Sequence, residues 1–421
     1  MKPVSHAQIA SAPSLIDTKL WIVSLVCFCV MAGDGFDTAS IAYVAPTLAH
    51  EWHIAHAALT PAFLATSVGA VVGYVSSGAL VARAGRRRLI VLAMGTFALL
   101  SLGTALADSI VSISVMRFVT AVALGWVVPA AISCTADHAG ERSRAAATIV
   151  ATTGLSAGSA VGGLLASLLI ARHGWPSVFI TGGVLPLVCL PFVWIALRGT
   201  DNQKGDVSTV RIDSPDARQS SGIAALFRHP FALGTALIWS IAFLAFLVTY
   251  QFMFWIPTLL VSYGFSPANA ALGSTAGAIG GIAGNLFLLL LVGRYGVPRS
   301  LILTACLAIG CIACLGLLTI DQRAVLFLLA GVGAGTTTAC VGQATLAVTA
   351  YPSALRPYGV GCAAAAGRVG AVIGPAIGGI LLTLGFSPQR IVLFSCLPIF
   401  LIIVLLAISQ VWNSADKAAR C

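Results

Sequence analysis

Four ionisable side chains, Asp34, Asp37, Arg117 and Arg368, stand inside stretches of otherwise apolar sequence, and they define the chemistry open to this chain. Asp34 and Asp37 are three residues apart, so on a helix they share a face. Counted from residue 46 at about 1.5 Å per residue, they lie roughly 18 and 14 Å inside their apolar run; Arg117 lies about 10 Å inside its own, counted from residue 110. Similar depth makes an Asp37 to Arg117 ion pair feasible. Arg368 falls about 15 Å inside a run that starts at residue 358, and a guanidinium there can hold a carboxylate through two parallel hydrogen bonds. Tyr250, Phe254 and Trp255 can stack on a planar ring, and Gln251, four residues before Trp255, can reach a polar substituent on it. Phe36 lies between the two aspartates and points to another side of the helix. Each residue also has a plainer reading. The ion pair can simply orient helices, Arg368 can serve an interhelical contact, and Trp255 can be a membrane-edge anchor.

Charges in apolar runs raise the question of what surrounds them. The chain has 421 residues, 58% hydrophobic and only 9% charged, with 43 glycines, against about 25% charged in ordinary globular proteins. Its mean hydropathy is +0.99. Repeated runs of about 20 apolar residues are long enough to cross a bilayer as helices, and the residue-by-residue alternation of a β-barrel is absent. The sequence therefore predicts an all-α polytopic membrane protein. Its spans fall near 21–46, 59–81, 89–107, 110–134, 146–171 and 175–197, then near 231–260, 268–292, 300–319, 324–349, 358–384 and 390–411. Buried charge is too costly to face lipid, so the four ionisable residues are expected to face a bundle interior or an aqueous route.

The formal charge of +10 comes in short clusters between spans, with no continuous basic face for nucleic acid. Of the 23 basic residues, 18 fall in the termini and in the connections after spans 2, 4, 6, 8 and 10, against Arg172, Arg323 and Arg390 on the other side. Positive residues gather in cytoplasmic loops, so both termini are expected in the cytoplasm. The expected organisation is a cytoplasmic tail at 1–20, a six-helix bundle at 21–197, a cytoplasmic linker at 198–230 with one short helix near Gly222 to Arg228, a second bundle at 231–411 and a tail at 412–421. The halves repeat in parallel: Pro46-Thr47-Leu48 recurs 211 residues on as Pro257-Thr258-Leu259, and Arg83, Gly85 and Arg88 recur as Arg294, Gly296 and Arg299. Two related bundles around a central pathway are a common basis for alternating access. No zinc motif, nucleotide-binding glycine loop or nucleophilic triad accompanies the spans, so the expectation is neither enzyme nor metal protein, with no organic cofactor.

The segment from Gly78 to Arg88, with Arg83, Gly85, Arg86, Arg87 and Arg88, resembles the cytoplasmic signature of the major facilitator superfamily. Span 4, with Arg117 and Gly125, resembles its second signature. Asp34-Gly35-Phe36-Asp37, the run from Arg117 through Pro129 to Asp137, Glu141 and Arg142, Trp255-Ile256-Pro257, Tyr351-Pro352-Ser353-Ala354-Leu355-Arg356 and Gly367-Arg368-Val369-Gly370 resemble the aromatic acid/proton symporter family. The resemblance implies a major facilitator fold in the bacterial inner membrane, functional as a monomer, that carries a small aromatic carboxylate with a proton. It implies transport roles for Asp34, Asp37, Arg117 and Asp137; Asp34, Asp37 and Arg117 are the candidate proton-coupling residues, with Asp37 expected to touch Arg117 and Asp34 to tune the route or the helix packing. Arg368, Gln251, Trp255, Phe36, Tyr250 and Phe254 are the candidate substrate contacts. Arg83, Arg86, Arg87, Arg88, Asp137, Glu141 and Arg142 are the candidate gate. One departure stands out: the acidic member of the cytoplasmic signature is Ala82, and its counterpart in the second half is Gly293. Either Asp137, Glu141 and the neighbouring arginines replace the lost lock, or the inward-open state is favoured. Other readings are transport of nicotinate or another small organic anion, and a membrane sensor that binds without translocating.

Overall fold

The computed structural model describes residues 18–420 except 55, 142, 199–221, 229, 266–270 and 319. Twelve helical segments among these are long and apolar enough to cross a bilayer. The N-terminal bundle holds α1 (Thr18–Glu51), α2 (Thr60–Ala84), α3 (Arg86–Thr104), α4 (Ile110–His138), α5 (Arg144–His173) and α6 (Pro176–Ala196). A short α7 (Ile223–Leu226) precedes the C-terminal bundle of α8 (Ala232–Ser262), α9 (Ala271–Tyr295), α10 (Val297–Leu317), α11 (Gln322–Ala350), α12 (Arg356–Thr383), α13 (Pro388–Phe394) and α14 (Cys396–Arg420). No strand occurs among the described residues. A helix satisfies its own backbone groups, which hydrocarbon requires.

Two boundaries differ from the sequence reading. The last span is interrupted at Ser395, between α13 and α14. Pro398 lacks the amide that would bond the Phe394 carbonyl, and its ring crowds that same carbonyl, so the helix restarts there. Helix α14 also continues to Arg420, through most of the expected tail. The expected helix at the end of the linker is α7, docked on the C-terminal bundle: Thr235 Oγ1 donates to the Leu226 carbonyl at 2.7 Å, and the Tyr351 hydroxyl donates to Thr235 Oγ1 at 2.9 Å. Burial pushes the Tyr351 hydroxyl up to about 12, so it stays a donor. Residues 199–221 and 229 of the expected linker fall outside the described residues.

The internal repeat shows in the backbone. Three pairs of turn residues adopt positive φ at the same offset of 211: His53 (52°) and Gly264 (81°), Gly85 (82°) and Gly296 (77°), Gly174 (75°) and Gly385 (83°). Only glycine takes this conformation without steric cost, which explains glycine at five of the six positions. Inside each bundle the site-bearing helix is pressed on a partner. A Cβ at Gly35 would collide with the Leu155 carbonyl of α5, and one at Gly370 with the Phe243 carbonyl of α8. Such backbone-to-backbone approach fixes the height and rotation of Asp34, Asp37 and Arg368, and it needs small residues at the contact.

Candidate functional site

Both bundles bury charged side chains, Asp34, Asp37 and Arg117 in the N-terminal one and Arg368 in the C-terminal one. Asp37 and Arg117 are 1% and 0% exposed. Arg117 Nη1 donates to Asp37 Oδ1 at 3.1 Å, its Nη2 stands 2.9 Å from Oδ2, and Nη2 also donates to the Asp37 carbonyl at 2.9 Å. The guanidinium lies 5.9 Å from the Phe179 ring centre. A buried pair survives only when its geometry offsets the loss of water, and a forked contact of this kind does so.

Asp34 is different. It is equally buried at 1% exposure, yet its only hydrogen bond among the described residues comes from Thr38 Oγ1 at 3.3 Å, and its Oδ2 has no partner. It lies within electrostatic reach of Arg368, Asp37 and Arg117. Among the described residues Asp34 makes no ion pair, unlike Asp37.

Arg368, on α12, is 7% exposed. Its Nη1 donates to the Tyr250 hydroxyl at 3.2 Å and its Nη2 to the Tyr74 hydroxyl at 3.3 Å, while Nε has no partner among the described residues. Tyr250 stacks on Phe246 with ring centres 6.0 Å apart. Arg368 is thus a buried cation contacted by two phenol hydroxyls and, among the described residues, by no carboxylate.

Other expected contacts fall elsewhere. Phe36 is a correction: its ring fills the space against Gly162 of α5 and Gly182 of α6, inside the N-terminal bundle. Lying about 100° and 200° around the helix from its aspartate neighbours, it cannot share their face. Trp255 is also committed, donating through Nε1 to the Pro375 carbonyl at 3.1 Å and lying against Gly378. It packs α8 on α12, because small residues bring those helices close. Gln251 is buried one turn below, and Phe254 is exposed.

At the basic end, Asp137 pairs with both Arg86 of its own bundle and Arg356 of the other. Arg86 Nη2 also donates to the Ser353 carbonyl at 3.1 Å. These contacts join the two bundles at the end where the signature segment carries Ala82. Arg87 turns to Trp194, 3.6 Å from the ring centre, and donates to its carbonyl at 3.1 Å. Arg83, Arg88 and Glu141 are exposed, and Arg142 lies outside the described residues.

Sequence reasoning missed three residues. Tyr74 was legible as a tyrosine near the middle of a span, away from the interfacial belts. Arg356 closes the Tyr351-Pro352-Ser353-Ala354-Leu355-Arg356 motif, whose resemblance implies no role for it. Asn285, 1% exposed with neither amide atom partnered among the described residues, is a lone amide in an apolar run.

Two bundles of bilayer-length helices, each with ionisable side chains buried in it, define a multi-pass membrane protein. A family model described as Major Facilitator Superfamily matches residues 25–350 and 262–419. A gallate transporter of Pseudomonas putida is 30% identical over 406 residues, covering 90% of this chain and 89% of that protein. The 4-hydroxybenzoate transporter PcaK of the same organism is 30% identical over 429 residues, covering 94% of each. Among solved structures, the proton:xylose symporter XylE aligns with a TM-score of 0.73 at 16% identity, covering 92% of this chain and 95% of that one. The chain belongs to the major facilitator superfamily and, within it, to the aromatic acid/proton symporter family. It is a transporter-fold protein and not an enzyme.

Proposed function

We propose that this chain takes up a small aromatic monocarboxylate together with a proton, by alternating access, across the bacterial cytoplasmic membrane with both termini inside. The observation that carries the reading is Arg368, buried at the bundle interface with phenols for partners and Nε free. It anchors the carboxylate, with Tyr250 beside it and Gln251, the next residue of α8, for a polar substituent on the ring. Relatives whose names specify gallate and 4-hydroxybenzoate support an aromatic acid.

Charge counting supports the proton. With Asp34, Asp37, Arg117 and Arg368 all ionised, the empty cluster is neutral. A bound monoanion leaves it at −1, and a proton on Asp34 returns it to zero. A net charge in the low-dielectric interior costs several kcal/mol, about 2.5–3.5 for an ionised side chain at mid-bilayer on insertion scales. The empty and doubly loaded forms therefore reorient, and the singly loaded forms do not. Asp37 keeps Arg117 neutralised throughout. With the basic loops in the cytoplasm, the Asp137, Arg86 and Arg356 cluster is the inner gate and is closed, so the route is shut on the cytoplasmic side. A single chain supplies both bundles, so the monomer suffices.

The test is uptake into sealed proteoliposomes under an imposed pH gradient, comparing benzoate, 4-hydroxybenzoate, gentisate, protocatechuate and nicotinate with simultaneous pH recording. Accumulation of an aromatic acid with proton entry is the expected result. Preference for nicotinate would reassign the cargo, and binding without accumulation would make the protein a sensor.

A further inference from the structure

Tyr74 supplies the hydroxyl through which the N-terminal bundle touches Arg368. It is 5% exposed and lies about 15 Å from the basic end of α2, near the middle of the hydrocarbon. Its ring centre is 5.8 Å from the Arg368 guanidinium carbon. Its position is set by the backbone: a Cβ at Gly361 of α12 would collide with the Tyr74 carbonyl and come within 2.8 Å of Ser77 Oγ. The phenol therefore reaches Arg368 from a fixed seat on the opposite bundle.

The bonds from Arg368 to Tyr250 and Tyr74, at 3.2 and 3.3 Å, sit at or beyond the long end of ordinary N–H···O distances. A carboxylate binding a guanidinium in parallel takes two adjacent N–H groups at about 2.7–2.9 Å. With Nη1 on Tyr250 and Nε free, the available edge is Nε with Nη2, and Nη2 is the atom that Tyr74 holds. We propose that Tyr74 is a second ligand of the substrate carboxylate, contributed by the bundle opposite Arg368. When the carboxylate takes the Nε and Nη2 hydrogens, the Tyr74 hydroxyl stops accepting from Nη2 and donates a hydrogen bond to the same carboxylate. A phenol can do either. The contact between bundles thus persists with and without cargo, running directly in the empty form and through the anion in the loaded one. The inference rests on Arg368 being the anion anchor.

The test uses the full chain in proteoliposomes and whichever acid of the five named above it accumulates. Tyr74→Phe removes one oxygen and keeps the ring. Loss of a hydrogen bond to a charged group raises KM about tenfold, equivalent to ~1.4 kcal/mol. The ligand-free protein loses only the long bond from Arg368 and melts slightly lower, while the stabilisation on adding the acid shrinks by more. An unchanged KM overturns the proposal, as does a fall in ligand-free stability and maximal rate at constant KM, which marks a structural hydroxyl. Arg368→Gln separates the two layers. If it raises KM and Tyr74→Phe does not, only this inference falls. If it leaves KM unchanged, or if the wild type accumulates none of the acids, the anchor fails and this inference falls with it.

Discussion

Replacing Asp34 by asparagine imitates the protonated carboxyl permanently. The cluster then carries +1 when empty and zero with a monoanion bound. Asp34 is 1% exposed, so there is little water to screen that charge. An uncompensated ionised group at mid-bilayer costs ~2.5–3.5 kcal/mol, and each 1.4 kcal/mol is tenfold; return of the empty carrier should slow by about 100-fold. Exchange of external for internal acid uses only the loaded, neutral form and should continue within about threefold of wild type, since Asp34 holds no ion pair whose loss would disturb the fold. The assay is paired: counterflow of radiolabelled acid in vesicles preloaded with the same acid, and net uptake driven by an imposed pH gradient. Retained counterflow with lost accumulation and no proton entry is the expected outcome. Accumulation at wild-type rate with proton entry would refute the reasoning, because the proton would then bind elsewhere.

Asp37→Asn strands the Arg117 guanidinium at 0% exposure, a loss of about 3–5 kcal/mol, seen as a lower melting temperature in detergent; adding Arg117→Gln should restore most of that stability but not transport. Asp137→Asn releases Arg356 and should open the basic end, measured as a longer distance between spin labels at Arg83→Cys and Arg294→Cys in a background without native cysteines; an unchanged distance would show that the bundles are held by packing alone. Gly35→Ala drives a methyl group into the Leu155 carbonyl and should cost about 1–3 kcal/mol as overpacking does. Gly310→Ala, with nothing within 4 Å of the new methyl, should instead be neutral or gain up to ~1 kcal/mol of helix propensity. Matched melting curves of the two variants check this pair.

The amino-acid pattern alone carried the twelve apolar spans, the 211-residue repeat and the depth match between Asp37 and Arg117. Each depends on spacing along one helix or on comparison of chain segments, and hydrocarbon permits so few backbone arrangements that such one-dimensional information goes far. The tertiary structure alone decided which helix faces meet. It turned Phe36 into the N-terminal core and Trp255 onto Pro375, brought Tyr74 to Arg368, and set Arg356 against Asp137 in place of the absent acid at Ala82. A span's rotation is set by which neighbours come close enough to contact it, through glycines such as Gly35, Gly361 and Gly370. Residues 294 positions apart can therefore share a hydrogen bond that no periodicity within either span records.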